Sequence, residues 1–215
     1  MAITFYYGSG SPFAWKIWLV LEHKGLPYEA KRVMFDAKEL KSEAFLALNP
    51  RGRVPVLVDD GLVIYESNAI AEHLEDRHPT PTVLGDTPAA RARTRQIAAE
   101  ADADLYRAQR ELMANTLFRP AERRDAEAIE RARGALLQEL THWQRLLGEA
   151  PYFGGPAPSL ADYAAFPLLR AIVRVDDREP GLGLGDRTPA WQRDYLARLE
   201  ALPAVQKTWP PHWRS

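Results

Sequence analysis

The chain has 215 residues, 46% of them hydrophobic and 27% charged, with 28 Lys+Arg against 29 Asp+Glu and a formal net charge of −1. That composition is globular, and the even balance argues against a dedicated nucleic-acid or anionic-membrane binder. Cysteine is absent. Disulfides, zinc–thiolate sites, iron–sulfur clusters and a cysteine nucleophile are therefore excluded, and any thiol chemistry needs a thiol carried by a ligand. No apolar run has the length of a membrane span, and Met1-Ala2-Ile3-Thr4-Phe5 lacks the features of a signal peptide, so a cytoplasmic protein is expected.

Ile3 to Tyr7 reads as a strand closed by Gly8. Ser11-Pro12 then opens a helix with Phe13, Ile17 and Leu21 on one stripe, stopped by Gly25 and Pro27. Tyr28 to Val33 is a second strand, and Lys38 to Leu48 reads as a helix ending at Asn49-Pro50. Val54 to Val58 and Leu62 to Tyr65 flank Asp59-Asp60-Gly61, a hairpin signal, after which Ser67 is expected to cap a helix to about His78. The order β-α-β-α-β-β-α over residues 1–79 implies a mixed sheet, with the first two strands parallel and the last two antiparallel.

Pro79, Pro81 and Gly85 mark a linker at 80–87, and beyond it strand signals vanish. Thr87-Pro88 caps a long helix with an expected buried stripe of Ile97, Ala101, Leu105, Ala108 and Leu112. A second carries Ile129, Ala132, Leu136, Leu140, Trp143 and Leu147 and stops at Gly148. Ser159 begins a third to about Val173, and Thr188-Pro189 opens a fourth ending near Leu202-Pro203. Residues 88–215 thus read as an all-helical domain. Arg91, Arg93 and Arg95 cluster, but acids downstream make this a solvated helix face.

Several motifs fail on inspection. Gly8-Ser9-Gly10 sits between strand and helix as a dinucleotide fingerprint would, yet Phe13 holds the third glycine position and Pro12 removes an amide. The five histidines form no zincin pair, no metal site is expected, and there is no Gly-x-Ser-x-Gly elbow.

Three segments remain. Ser11 places a hydroxyl at a helix N-terminus beyond a strand's carboxyl end, where anions and ligands are favoured; a plain N-cap role is the alternative. Asn49-Pro50-Arg51-Gly52-Arg53-Val54-Pro55 places a proline at a strand entry. A cis Val54–Pro55 bond would turn the Val54 backbone toward a ligand lying along the sheet; an ordinary loop-to-strand entry is the alternative. Glu66-Ser67 offers a carboxylate for an ammonium, and a hydroxyl with backbone amides for a carboxylate, the two charged groups of an α-amino acid. Capping alone would also explain Ser67.

Ser-Pro-Phe after the first strand, Asn-Pro-x-Gly-x-Val-Pro-Val-Leu and Glu-Ser-x-Ala-Ile together resemble the glutathione S-transferase family, as does the Ser159-Leu160-Ala161-Asp162 capping box. The resemblance spans nearly the whole chain and implies a thioredoxin-like N-terminal domain followed by a helical one. It implies that Ser11 donates its hydroxyl hydrogen to the sulfur of glutathione, with Tyr7, Ser9 and Tyr6 as rival partners. Val54 would pair with the cysteinyl backbone, Glu66 and Ser67 would hold the γ-glutamyl end, and Lys41 and Arg53 would meet the glycine carboxylate. Glutathione is then a co-substrate, with no tightly bound cofactor, and a homodimer is the family expectation.

A serine at position 11 looks like a conjugating type, with the reaction adding the thiolate to a hydrophobic electrophile in detoxification. A glutathione-dependent isomerase or dehalogenase, or a ligand-binding protein without catalysis, are the alternatives. Ser-Pro-Phe with Lys16 resembles the tau and omega branches, although arginine is more usual at that place and the omega cysteine is absent. The Ser-Ser-Cys signature of zeta-type maleylacetoacetate isomerases is lacking. The electrophile wall is expected to include Phe13, Tyr106, Gln109, Arg110, Met113 and Phe166, though such residues at helical spacing also build cores. Trp209 and Trp213 either close that pocket or pack against the bundle.

Overall fold

The computed structural model describes residues 2–35 and 38–213. The chain forms two compact units, the first made of Met1–Asp86 with Leu202–Ser215 and the second of Thr87–Ala201. The C-terminal segment, expected in the helical domain, thus folds with the first unit.

In the first unit β1 (Ile3–Tyr7), α1 (Pro12–His23), β2 (Tyr28–Arg32), α2 (Glu43–Leu48), β3 (Val56–Asp59), β4 (Leu62–Tyr65) and α3 (Ser67–Arg77) follow one another. The sheet order is β2-β1-β3-β4. β1 runs parallel to β2 and antiparallel to β3, and β3 is antiparallel to β4. Asp60 and Gly61 both take positive φ (49° and 89°), the mirror-image turn that matches strand twist in a two-residue hairpin. Alternation along β1 sends Phe5 toward Trp18 of α1 and Tyr6 toward Phe45 of α2, so each sheet face has its own core.

Two expectations change here. Residues 38–48 are not one helix: a 3₁₀ turn (Glu39–Lys41) precedes α2, because the Ser42 hydroxyl accepts the Phe45 amide (3.2 Å) and starts the helix there. Ser67 is not the cap of α3 but its first helical residue, and Glu66 holds the cap position with φ 72°.

The expected linker is also pinned down. Lys24 Nζ, fully buried, donates to Glu75 (2.8 Å) and to the carbonyls of His78 (2.7 Å) and Pro81 (3.0 Å). Glu75 in turn accepts from the Thr82 hydroxyl and the Val83 amide, and Val83 and Leu84 are buried.

The second unit contains α4 (Pro88–Glu100), α5 (Tyr106–Asn115), α6 (Ala126–Leu147), α7 (Leu160–Arg178) and α8 (Ala190–Glu200). A π turn over Ala101–Leu105 joins α4 to α5. Within α5 Gln109 takes the buried place expected for Ala108, while Leu105 and Leu112 on either side are buried as the spacing predicts. Every stripe residue of α6 is buried as its spacing predicts. The capping box at Ser159 is present, and α7 runs past Val173 because Val175 continues the buried stripe. α8 starts after Pro189 rather than at a Thr188 cap and ends at Glu200, before α9 (Pro203–Thr208), which sequence periodicity did not reveal. α9 packs on α1 within the first unit. No helix among the described residues is long and apolar enough to cross a membrane.

The Lys24–Glu75 pair generates a test. Burial alone would raise the Glu75 carboxyl, but hydrogen bonds from Lys24, Thr82 and Val83 outweigh it and hold the group below its ordinary value of 4.5. Its contribution is therefore complete above that value and is lost as pH falls through the lower folded one. Lys24→Met should cost about 3–5 kcal/mol in urea unfolding, because a buried carboxylate loses its counter-charge. Glu75→Gln should flatten the acid limb of the stability–pH curve, and an unchanged limb would refute this account.

Candidate functional site

The sheet register brings three loops to one end. Tyr6 of β1 lies opposite Val56, which begins β3, and Val56 lies opposite Tyr65, which ends β4. The segments Gly8–Ser11, Gly52–Pro55 and Glu66–Ser67 therefore leave or enter the sheet at the same end.

In the first loop, Ser11 takes an extended conformation (φ −70°, ψ 120°) as N-cap of α1, with Pro12 at the first helical position. Its hydroxyl accepts the Ala14 amide at 3.4 Å and its own amide donates to Gly8 O at 3.0 Å. The long contact leaves the hydroxyl lightly engaged, beside the electropositive start of a helix. Tyr7 stacks on Phe5 and lies 4.4 Å from the Trp18 ring, on the α1 face of the sheet. Ser9 is hydrogen-bonded to His212 (2.8 Å). A cavity of about 10 Å³, room for one water, lies between Tyr7, Gly8, Ser9, Gly10, Ser11 and Thr208 among others.

The second loop is built by Asn49, which is 2% exposed. Its amide donates to Arg53 O (2.7 Å), its side-chain oxygen accepts the Arg51 amide (3.0 Å), and its carbonyl accepts the Gly52 amide (2.8 Å). Gly52 has φ +60°, and a Cβ there would lie 2.6 Å from Leu40 O and 3.0 Å from Lys41 Nζ. Lys41, Gly52, Arg53 and Val54 thus come together, with Lys41 and Arg53 exposed. The Val54–Pro55 bond is cis, as the proline at the strand entry suggested.

In the third loop Glu66 is exposed at φ 72°, ψ 113°, a region that non-glycine residues rarely occupy and that recurs at functional sites. Ser67 beside it is 7% exposed. The next residue, Asn68, accepts a hydrogen bond from Lys16 Nζ at 2.9 Å. Lys16 is 1% exposed and lies 5.8 Å over the Phe13 ring, so the ammonium ties the start of α3 to α1.

All six residues read from the sequence as thiol and peptide contacts (Ser11, Lys41, Arg53, Val54, Glu66 and Ser67) belong to the first unit. Phe13 does as well, half-buried in the first turn of α1. The remaining wall candidates belong to the second unit: Tyr106, Gln109, Arg110 and Met113 on α5, and Phe166 on α7. There Arg110 is exposed, Gln109 is buried with its amide on the Met113 sulfur, and Phe166 is fully buried. Trp209 and Trp213 pack edge-on against Trp15 of α1, with centroids 5.6 and 5.4 Å away.

Three residues at the site escaped sequence reasoning. Asn49 and Asn68 stood inside the motifs, yet nothing in the spacing tells that one builds a loop and the other anchors a buried lysine. His212 lies 203 residues from Ser9, beyond any local signal.

Residues 10–77 match the family described as Glutathione S-transferase, N-terminal domain, and residues 126–206 match Glutathione S-transferase, C-terminal domain. The chain is 36% identical over 178 residues to maleylacetoacetate isomerase of Pseudomonas aeruginosa, covering 81% of this chain and 82% of that protein. It is 31% identical over 221 residues to glutathione S-transferase A of Pleuronectes platessa, covering 98% and 92%. Among solved structures, a glutathione transferase from Burkholderia graminis superposes with a TM-score of 0.85 at 26% identity, covering 100% of this chain and 90% of that one; it holds two glutathione molecules per subunit. The chain belongs to the glutathione S-transferase family.

Gly52→Ala tests the second loop. The side chain meets both a positive φ and a backbone oxygen, so the variant should lose about 2–3 kcal/mol in urea unfolding. A fully stable variant would mean the loop is not held as described.

Proposed function

We propose that this protein is a glutathione transferase: it binds reduced glutathione on the first unit, stabilises the thiolate at Ser11, and adds the sulfur to a hydrophobic electrophile. The observation that carries this reading is the convergence at one end of the sheet of three complementary loops. The Ser11 hydroxyl at a helix start suits a thiolate, the entry to β3 at Val54 suits an extended peptide, and Glu66 with Ser67 suits the ammonium and carboxylate of a γ-glutamyl group. Lys41 and Arg53, brought together by the Asn49 loop, supply cations for the glycine carboxylate.

The chemistry needs little beyond a stabilised anion. A free thiol titrates near 8.5, and lowering that by about two units takes roughly 2.7 kcal/mol in favour of the anion. One hydroxyl hydrogen bond to a charge contributes about 1.5–3 kcal/mol, and the helix start adds to it. The thiol proton leaves to solvent. The sulfur lone pair then forms a carbon–sulfur bond while the electrophile's leaving group departs with its electron pair, or its π electrons move onto an acceptor oxygen.

The 36% identity to a maleylacetoacetate isomerase favours one second reading, in which the same thiolate adds reversibly and glutathione is regenerated. A stable thioether product separates conjugation from isomerisation.

The decisive measurement is the pH titration of bound glutathione's thiolate absorbance. Wild type should titrate well below 8.5, and Ser11→Ala should move the value back by about one to two units and slow conjugation about 10–100-fold. A depressed value that survives Ser11→Ala would remove Ser11 from the role in favour of Tyr7 or Ser9. An undepressed wild-type value would leave a ligand-binding protein.

A further inference from the structure

The C-terminal segment returns to the loop that carries Ser11, and it does so through one side chain. His212 Nδ1 lies 2.8 Å from Ser9 Oγ. The same imidazole covers Gly10: a Cβ at that residue would lie 3.0 Å from His212 Cε1 and 3.1 Å from Nε2. Gly10 has φ +83°, a backbone conformation that favours glycine, and the ring packs closely over it.

The imidazole is carried on a well-anchored arm. The Trp15 indole donates to the Thr208 hydroxyl (2.9 Å), which donates to Ala204 O (2.8 Å). Trp15, Trp209 and Trp213 meet edge to face, and Lys207 pairs with Glu22 of α1 (2.9 Å). Two glycines in four residues leave Gly8–Ser11 much backbone freedom to lose, and a clamp from outside restricts it without occupying Ser11 itself.

We propose that His212 is a positioning residue of the thiol site: by its Nδ1 bond to Ser9 and its ring contact with Gly10, it fixes the loop that presents Ser11 and the start of α1 to the sulfur. The proposal rests on the thiol site described above. It assigns His212 no proton transfer and no contact with the substrate. The bond works in either sense, with the Ser9 hydroxyl donating to a neutral Nδ1 or an Nδ1–H donating to Ser9 Oγ.

That geometry makes two near-isosteric substitutions diverge. Nδ1 is attached to Cγ, and so are the oxygen and nitrogen of an asparagine amide, which can accept from or donate to Ser9 from the same place. In glutamine those atoms are one carbon further out, where Nε2 stood. The experiment compares His212→Ala, His212→Asn, His212→Gln, Ser9→Ala and the double variant with His212→Ala and Ser9→Ala, using full-length protein, glutathione and an activated aryl chloride. Thiolate absorbance and thermal unfolding are recorded alongside rates.

His212→Ala should lower kcat about tenfold through misplacement of the sulfur's partners. KM for glutathione should stay within about twofold, because the peptide contacts are untouched. His212→Asn should recover most of the loss and His212→Gln should not. Ser9→Ala should reproduce most of the His212→Ala loss, the remainder being the ring contact with Gly10, and the double variant should be no worse than His212→Ala, as expected for two members of one bond. Wild-type rates and thiolate titration in His212→Ala, equal behaviour of the Asn and Gln variants, or additive single losses would each overturn the proposal while leaving the thiol site standing. Glutathione bound to wild type without a depressed thiolate titration would overturn the thiol site and this proposal together.

Discussion

Opposition of Tyr6, Val56 and Tyr65 across three adjacent strands is the constraint on which the site depends. Register in a half-buried sheet is fixed because a one-residue slip would turn Phe5 and Tyr6 to the wrong faces. With those pairs fixed, the end of β1, the start of β3 and the end of β4 must lie side by side. Three loops with unlike chemistry then meet because the strands that carry them are adjacent. The positions of Ser11, Val54 and Glu66 thus follow from packing of the two small cores, not from loop sequence alone.

Much of this was legible because it is local. Ser11-Pro12 and Gly25 bound α1 by caps that act over a few residues, and the three- and four-residue spacing of Ile129 to Leu147 fixes α6 and its buried face. Asp60-Gly61 fixes the hairpin through φ alone. The failures are equally physical. Leu105 and Leu112 can be bridged on one helical stripe by residue 108 or residue 109, and polarity favours Ala108, so nothing in the sequence announces that Gln109 is the buried one. Glu66 adopts a positive φ although its side chain does not favour it, because strand β4 and helix α3 on either side impose the turn. Ser67 looked like a cap since serine usually is one. α9 is a short helix whose stability comes from packing on α1, and such a segment carries no period long enough to read.

Two buried ionic groups, Lys24 and Asp162, serve places where the backbone stops repeating. The Lys24 ammonium donates to the carbonyls of His78 and Pro81, where α3 gives way to the segment that follows it. Asp162 does the complementary work in the second unit, accepting the amides of Ser159, Phe153 and Gly154 and the Tyr195 hydroxyl. Burial pushes its carboxyl above the ordinary range despite those donors. In both cases a single charged side chain supplies partners to backbone groups that no helix or strand can satisfy, and leaving them unmade would cost more than burying the charge with its hydrogen bonds. These residues organise the chain's turning points and stand apart from the thiol chemistry.

Trp15 connects that architecture to the site. Its amide donates to the Ser11 carbonyl (2.9 Å), the first bond of α1, while its indole donates to Thr208 on α9. The helix turn whose N-terminus would face the thiolate is therefore held at once by its own ladder and by the far end of the chain. A helix start stabilises an anion only to the extent that its amides stay aligned, since fraying would spread the same dipole over many directions. Packing three tryptophans around that turn resists fraying without placing a charge beside the sulfur. An aromatic clamp preserves the electropositive field of the helix end, whereas a carboxylate in the same place would oppose the thiolate it was meant to support.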